Sequence, residues 1–353
     1  PWLVILSAAY LKSPSCRDPL IKKNMSGQTN FQKRINYQGN LNLILSKVCQ
    51  DFKIGQYQTY EVVPIGYEDL NLILKTNKGK FFVKIFASFR DEKECQRYIK
   101  IMEKVTAAGV YHPKLYQHSQ GSLYSVTNKN SIDRLCVIEY IDGKSYFQRQ
   151  SNLTRQEMQF IIHQAALINN LDLRPYPVYD SWAIVNFLKE FKTKGQYLSK
   201  EDNGLICSYI KLFSTLDLDR LPHCFVHGDI TKTNTMKSSQ GKIYILDFAV
   251  ANWYPRIQEL AVLLCDLFFN KDNLNDFLEV YKFTLKSYQQ YIPLTSQEIK
   301  TLPVYLQLAH AMHLLRANYE RVVNKNISEE NEHFLNIGKK GLRYTTKLFQ
   351  KIV

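Results

Sequence analysis

The sequence predicts an α+β fold of two lobes, an antiparallel-sheet amino-terminal lobe and a mainly helical carboxyl-terminal lobe. Short strand-like segments bounded by turn residues dominate residues 36–141, whereas apolar residues at helical spacing dominate residues 142–353. The 353 residues suit about two domains. With 45% hydrophobic and 22% charged residues, the chain can bury enough apolar surface to fold, which excludes global disorder.

The amino-terminal lobe, predicted over residues 36–141, combines helices with a meander of strands. Apolar residues at helical spacing predict one helix over residues 40–52 and a second over 90–108, which ends at Gly109. Asn77-Lys78-Gly79 supplies hairpin turn chemistry between two of the strands. The predicted strands are 57–65, 71–76, 80–86, 123–127 and 135–141.

The carboxyl-terminal lobe, predicted over residues 142–353, begins after the turn Asp142-Gly143-Lys144. Two capping boxes, starting at Thr154 and Thr295, announce helices. The predicted helices are 158–171, 182–191, 205–216, 256–270, 274–291 and 304–323. Among them lie two strongly apolar strands, 224–226 and 243–248, which we expect to pair as a short hairpin.

The net charge of +14 raises the alternative of nucleic-acid binding. Much of the excess lies at the two ends, since residues 1–35 hold six basic residues and one acid and residues 338–353 hold five basic residues and no acid. Such blocks are typical of solvated tails, and no nucleic-acid motif accompanies them. We therefore assign residues 1–35 to a basic extension, expect no specific nucleic-acid partner, and leave the residues before Met25 out of the fold prediction.

The cysteines and the apolar runs indicate the compartment. Seven scattered cysteines without a Cys-x-x-Cys pair favour reduced thiols over a disulfide framework or a zinc site. No apolar run approaches the roughly 18 residues that a membrane span requires. We expect a cytoplasmic protein without a membrane span.

Three polar residues stand where the paired apolar strands end. Asp229 and Asn234 lie on the loop after the first strand, and Asp247 lies where the second strand ends. Their oxygen atoms suit Mg²⁺ bound to the phosphates of a nucleotide, with Asp229 left to face an acceptor. Taken alone, Asp229 and Asn234 also fit an Asx turn.

Lys84 lies in the middle of an apolar strand, where its ammonium group is costly to bury unless it meets anions. Taken alone, it would also fit an edge-strand lysine whose charge reaches solvent. Together with Asp229, Asn234 and Asp247, it fills the roles that phosphoryl transfer requires.

These residues resemble a known catalytic signature. His227-Gly228-Asp229, Asn234 five residues later and Leu246-Asp247-Phe248 look like the signature of the aminoglycoside phosphotransferase and choline kinase-like superfamily. Residues 69–84 resemble the amino-lobe hairpin of its homoserine kinase-like branch, and residues 137–143 resemble its hinge. The resemblance implies a bilobal protein kinase-like fold.

The resemblance also implies roles for individual residues. Asp229 would be the catalytic base, His227 would support its loop, Asn234 and Asp247 would bind Mg²⁺, and Lys84 would contact the α- and β-phosphates of ATP. Backbone groups of Glu139 and Ile141 would hold adenine. A helix carboxylate normally pairs with the strand lysine, and Glu94 is the residue we assign to it, with Gln96 and Tyr98 in the nearest register.

Three positions depart from the family pattern. Ile168-Asn169 stands where a Leu-His pair is usual, Glu259 replaces an aspartate, and no Gly-x-Gly-x-x-Gly motif lies near Gly66. None of these removes a residue that the transfer chemistry requires.

The resulting hypothesis is an ATP- and Mg²⁺-dependent phosphotransferase acting on the hydroxyl of a small molecule, such as an amino alcohol, amino acid, sugar or antibiotic. The basic carboxyl terminus argues against polycationic aminoglycosides. The alternatives are a protein serine/threonine kinase of the same fold and a catalytically inactive pseudokinase, the latter prompted by the absent helix glutamate. The sequence leaves the oligomeric state open.

Overall fold

The computed structural model describes residues 32–64, 66, 68–128 and 131–350 and has the two predicted lobes. The amino-terminal lobe is an antiparallel sheet of strand order β1-β2-β3-β5-β4 with two helices. Its elements are α1 (Leu41–Asp51), β1 (Tyr57–Val62), β2 (Leu70–Thr76), β3 (Gly79–Ile85), α2 (Glu92–Ala107), β4 (Tyr124–Asn128) and β5 (Ser131–Glu139). The α+β prediction is confirmed.

Local signals account for the amino-terminal lobe. Asn40 caps α1 by accepting the backbone N–H of Asn42, and α1 buries its apolar face in the core of the sheet. Gly79 closes the β2–β3 turn with a φ of 134°. Ile35 is buried in the same core, so the lobe begins within the segment we assigned to the extension. Residues 1–31 of that extension lie outside the described residues.

The carboxyl-terminal lobe is mainly helical, and both predicted capping boxes form, at Thr154 and Thr295. Its elements are β6 (Gly143–Ser145), α3 (Tyr146–Arg149), α4 (Arg155–Asn169), α5 (Phe187–Lys194), α6 (Lys200–Ser214), β7 (His223–Val226), β8 (Thr235–Ser238), β9 (Ile243–Ile245), β10 (Asn252–Pro255), α7 (Ile257–Val262), α8 (Phe277–Tyr288), α9 (Ser296–Val322) and α10 (Glu329–Gln350). None of the helices in the described ranges has both the length and the apolar character of a membrane span.

The pairing of the short strands differs from the predicted hairpin. β7 pairs with β10, and β9 pairs with β8, a strand the sequence did not predict. β8 was missed because its four residues, Thr-Met-Lys-Ser, carry little apolar pattern, although hydrogen bonds to β6 and β9 hold it on both sides. The loop between β7 and β8 therefore connects two small sheets, one formed by β7 and β10 and the other by β6, β8 and β9.

The basic carboxyl terminus is a helix packed on the lobe, so the prediction of a solvated tail is wrong. The apolar side of α10 lies in the core, where Phe334, Ile337 and Leu342 are buried. A Cβ atom on Gly338 would lie 2.5 Å from the backbone nitrogen of Leu314, so glycine permits the close approach of α10 to α9. Basic residues of α10 form ion pairs with acidic residues of α6, which are distant in the sequence. Lys339 pairs with Asp202 at 2.7 Å, and Arg343 pairs with Glu201.

Candidate active site

Lys84 lies on the face of the sheet that meets the carboxyl-terminal lobe. Asn71 of β2 is directly opposite Lys84 of β3, so Asp69, two residues before Asn71, lies diagonally across from Lys84 on the same face. The Lys84 Nζ is 3.1 Å from Asp69 Oδ2 and 3.0 Å from Asp247 Oδ2. Since Asp247 belongs to the other lobe, this ion pair crosses the cleft.

The partners of Lys84 correct the assignment of Glu94. Asp69 and Asp247 form the ion pairs of Lys84 in the described part of the chain, and Glu94 does not. Glu94 lies in the first turn of α2, where its N–H bonds to the capping Asp91. Tyr98, one turn later, reaches the lysine, with its ring centroid 5.2 Å from Nζ.

Asp69 is itself held by further donors. Its Oδ1 accepts the Arg90 Nε–H at 3.0 Å and the Ala87 N–H at 2.9 Å. Burial disfavours its charge, but Lys84 and Arg90 outweigh that effect and lower the pKa of Asp69. Burial and Lys84 likewise oppose each other at Asp247, where the lysine prevails and the pKa falls to about 2.

The loop of residues 227–234 brings the other predicted residues together. The Asn234 Nδ2 donates to Asp229 Oδ2 at 2.6 Å, which leaves the side-chain oxygen Oδ1 of Asn234 for another partner. The Leu246 N–H donates to the backbone carbonyl of Asn234 at 2.8 Å, in continuation of the β8–β9 ladder. Asp247 follows at the next residue. Asp229, Asn234 and Asp247 therefore lie at one mouth of the cleft, with Lys84 above them.

His227 is fully buried beneath this loop. Its Nδ1 accepts the Asp229 N–H at 3.2 Å, so its Nε2 carries the proton and donates to the Leu246 carbonyl at 3.0 Å. Burial lowers the pKa of His227 to about 4 and keeps the ring neutral. His227 thus connects the backbone at Asp229 with the backbone before Asp247.

Two of the three departures from the family pattern, Asn169 and Glu259, contact each other. Glu259 accepts the His227 N–H at 2.7 Å and the Gly228 N–H at 3.2 Å, and the Asn169 Nδ2 donates to the same carboxylate at 3.2 Å. The hydroxyl of Tyr288 donates to the Asn169 Oδ1 at 2.8 Å. Burial raises the pKa of Glu259 to about 7, against the effect of these hydrogen bonds. Glu259 is longer than the usual aspartate and Asn169 is shorter than the usual histidine, so the two side chains together fill the same space.

Further carboxylates surround Asp229. Burial is the main reason that the pKa of Asp229 is raised well above its ordinary value, and the charges of Asp180, Asp247, Asp266 and Glu330 raise it further. Sequence reasoning missed Asp180 and Glu330, because nothing in their local pattern separates them from surface acids.

Asp69 and Arg90 were also missed as site residues. Asp69 stands immediately before the apolar run of β2 within the segment that resembles the kinase hairpin, and that position was the available signal. Arg90 lies in the connection between β3 and α2, and its role depends entirely on the position of Asp69.

The predicted hinge lies where β5 ends. The Glu139 N–H donates to the Lys114 carbonyl at 2.8 Å, so only its carbonyl is available to a ligand. The Ile141 N–H has no acceptor in the described part of the chain. The Asp142-Gly143 turn then enters β6, where a Cβ on Gly143 would lie 2.5 Å from the Lys237 carbonyl oxygen.

The arrangement of a cross-lobe lysine, a loop aspartate and an Asn/Asp pair agrees with a comparison of sequences. The sequence pattern of the phosphotransferase enzyme family matches residues 59–291, about two thirds of the chain. The chain belongs to the phosphotransferase enzyme family. The predicted family and the prediction that the protein is an enzyme are confirmed.

Individual relatives are distant. The homoserine kinase of Methylobacillus flagellatus is 20% identical over 280 residues, which cover 73% of this phosphotransferase and 78% of that kinase. The microcompartment-associated aminopropanol kinase superimposes with a TM-score of 0.67 at 12% identity, over 88% of this chain and 98% of that one. An amicoumacin kinase in complex with AMP-PNP and Ca²⁺ superimposes with a TM-score of 0.64 at 15% identity, over 90% and 96%. These superpositions confirm the kinase-like fold.

Proposed function

We propose that this phosphotransferase transfers the γ-phosphoryl group of ATP, in the presence of Mg²⁺, to a hydroxyl group of a small molecule. The observation that carries the proposal is the convergence of four predicted residues on one cleft. Lys84 contacts Asp247 at 3.0 Å across the lobes, Asn234 contacts Asp229 at 2.6 Å, and the backbone at Asn234 bonds to Leu246.

Lys84 is the group that would contact the α- and β-phosphates. Asp69, which is buried and held by Arg90, orients the lysine and takes the role that we first assigned to Glu94. The carbonyl of Glu139 and the N–H of Ile141 would bind the adenine. The contacts of Asp69 involve no atom of the carboxyl-terminal lobe, so they can persist when phosphates approach Lys84.

The residues present fit a magnesium ion. Asn234 and Asp247 offer an amide oxygen and a carboxylate, both of the hard oxygen type that Mg²⁺ prefers. The amide nitrogen of Asn234 is occupied by Asp229, so its oxygen is the atom that remains for the ion. Bound there, Mg²⁺ would neutralise the charge of the phosphates.

Asp229 is the group that would accept the proton of the acceptor hydroxyl. The oxygen of that hydroxyl forms a bond to the γ-phosphorus as the bond from phosphorus to ADP breaks, and the proton moves to the carboxylate. A carboxylate with a raised pKa is a better proton acceptor than an ordinary one, and cations bound beside it would restore its ionised form.

The sequence relatives and the structural relatives direct the choice of acceptors for an assay. Two of them are named for homoserine and aminopropanol, and both compounds carry a hydroxyl and an amine.

The free thiols of the six described cysteines support a cytoplasmic enzyme, because cytoplasmic thiols stay reduced.

The test is a transfer assay with Mg²⁺-ATP and a panel of homoserine, 1-amino-2-propanol, choline, a hexose, an aminoglycoside and a generic protein substrate. Asp229→Ala should reduce transfer at least ~10²-fold, the typical contribution of general base catalysis. Binding of the nucleotide without Mg²⁺ should be retained, since Asp229 forms no ion pair with Lys84.

Asp219→Ala, at an exposed aspartate of the same lobe, is the matched control and should retain full activity. Equal transfer by Asp229→Ala and the wild type would remove Asp229 from the role of base. Phosphorylation of the protein substrate alone would replace the small-molecule assignment.

A further inference from the structure

A second carboxylate, Asp180, lies beside the 227–234 loop on the segment between α4 and α5. This segment is tied to the strands that carry the loop. Asn252, directly opposite Val226 in the β10–β7 pair, accepts the Val178 N–H at 3.2 Å and donates to the Val178 carbonyl at 2.8 Å. Asp180 lies two residues after Val178, and Asp229 lies three residues after Val226, the last residue of β7.

The other lobe also fixes the segment. Arg97 of α2 donates to the Tyr176 carbonyl at 2.6 Å and to the Ala249 carbonyl at 3.1 Å, just after Asp247. The segment carrying Asp180 is thus fastened to the same framework that positions the candidate catalytic residues.

The side chain of Asp180 is buried but incompletely paired. It is 6% exposed, and its Oδ1 accepts the Trp182 N–H at 2.8 Å. Its Oδ2 has no hydrogen-bond donor among residues 32–64, 66, 68–128 and 131–350. Burying a carboxylate without a counter-ion is costly, so such a group is expected to have a partner that the protein alone does not supply.

Two other buried carboxylates, Asp69 and Glu298, have their own cations. Asp69 pairs with Lys84 and Arg90, and Glu298 pairs with Arg256. The cation that acts on Asp180, Arg316, is already shared by Glu190 at 3.3 Å and Glu320 at 3.1 Å.

The surroundings of Asp180 select a positive charge. Its charge acts on Asp229, and the charge of Glu68, from the loop between β1 and β2, acts on Asp180. Arg90 pairs with Glu68, whereas Asp180 and Asp229 form no ion pair with any described residue. Glu330 of α10 accepts the Gly66 N–H of that loop at 3.5 Å, so the acidic groups come from both lobes around the space next to Asp229. The Asx turn made by Oδ1 explains one oxygen of Asp180 and leaves the other available.

We propose that Asp180 binds the ammonium group of the acceptor through Oδ2, so that this phosphotransferase acts on amino alcohols. The inference rests on the proposed function, because the hydroxyl of the same acceptor must reach Asp229. A primary ammonium group can donate a hydrogen bond to Oδ2, whereas a quaternary ammonium group cannot. The enzyme therefore prefers primary amines to choline-like acceptors and both to neutral alcohols.

The test compares matched acceptors with the wild type, Asp180→Asn and the exposed control Asp219→Asn. The acceptors are 1-amino-2-propanol and its neutral counterpart 2-butanol, and choline and its neutral isostere 3,3-dimethyl-1-butanol. Asparagine keeps an oxygen for the Trp182 N–H and removes only the charge, and thermal unfolding verifies that the variant is folded.

Asp180→Asn should raise the KM for 1-amino-2-propanol about 10- to 100-fold, as expected for a hydrogen bond to a charged group, with little change for neutral alcohols. Binding of 1-amino-2-propanol to the enzyme loaded with a non-hydrolysable ATP analogue, measured by calorimetry, should weaken by the same factor. The dependence of nucleotide binding on Mg²⁺ should stay unchanged.

The outcomes separate the two proposals. Transfer by the wild type to neutral and amine acceptors with equal efficiency overturns the role of Asp180 and leaves the proposed function standing. An effect of Asp180→Asn on the Mg²⁺ dependence, rather than on amines, overturns it as well. Absence of transfer to any acceptor contradicts the proposed function, and unweakened amine binding in calorimetry then contradicts the role of Asp180 independently.

Discussion

Asp69 and Asp180 lie in different regions of the cleft and are equally buried, each 6% exposed. Asp69, on the side of the sheet, has Lys84 and Arg90 beside it, and its pKa is lowered. Asp180, on the side of the helical lobe, has one N–H partner and acidic neighbours, and burial raises its pKa to about 7. Burial acts in the same direction at both sites, so the partners decide which charge state is favoured.

The two sides of the cleft therefore differ in whether their carboxylates have cations as partners within the protein. Lys84 and Arg90 together supply the cations for Asp69 and Asp247 within the protein. Asp229 and Asp180 form no ion pair with any described residue, and the charges of other carboxylates act on both. The first side is organised before a ligand arrives, and the second side gains most from a ligand that carries positive charge.

Removing the central cation should have the largest effect. Lys84→Met leaves Asp69 and Asp247 without their shared ammonium group, and breaking a buried ion pair by removing one partner costs about 3–5 kcal/mol. Chemical denaturation at pH 7 measures this loss, and we expect nucleotide binding to disappear with it.

Lys80→Met is the matched control, since Lys80 lies on the same strand β3 and is exposed. It should change the free energy of unfolding by less than about 0.5 kcal/mol. A stability loss in Lys84→Met no larger than that of Lys80→Met would show that the ion pairs across the cleft contribute nothing.

The buried carboxylate under the 227–234 loop provides a second, smaller test. Glu259→Gln places an NH₂ group where the carboxylate accepts three N–H donors, so we expect a loss of about 1–3 kcal/mol in stability. Asn169→Ala should lose less, and the two effects should be non-additive by at least about 0.5 kcal/mol because the residues are in contact. A double-mutant cycle by chemical denaturation measures the coupling, and strict additivity would contradict the contact.

The dependence of stability on pH should have opposite signs on the two sides. A lowered pKa, as at Asp69, contributes stability above the unfolded value of about 4 that is lost as the pH falls through the folded pKa. A raised pKa, as at Asp180, contributes stability at low pH that is lost as the pH rises from about 4 to about 7.

At pH 7, Asp69→Asn should therefore destabilise the protein and Asp180→Asn should stabilise it. For Asp180→Asn, the gain over the wild type should grow by roughly 3 kcal/mol between pH 4 and pH 7, because the pKa of Asp180 is raised to about 7 and each unit of pKa corresponds to about 1.4 kcal/mol. Denaturation curves of both variants across this range test the prediction. Parallel pH profiles for the wild type and Asp180→Asn would contradict the charge state assigned to Asp180.

The comparison also explains which site residues were predictable. Lys84, Asp229, Asn234 and Asp247 could be predicted as candidate site residues because each is a polar residue at a fixed distance from an apolar strand or a motif. Asp180 could not be predicted from the sequence. Two features single it out, the missing hydrogen-bond partner of its Oδ2 and its closeness to Asp229, and both depend on segments that are far apart in the chain.

The sequence alone determined the features that depend on neighbours a few residues away. Both capping boxes, the β2–β3 turn, the order of strands and helices in the amino-terminal lobe and the signature around Asp229 all follow from short-range hydrogen bonding and from the periodicity of apolar residues. Tertiary structure decided the pairing of β7 with β10, the packing of α10 and the exchange of Glu94 for Asp69. Strand partners, helix docking and ion pairs are set by groups distant in the chain, because the energy of a buried charge depends on what surrounds it in space.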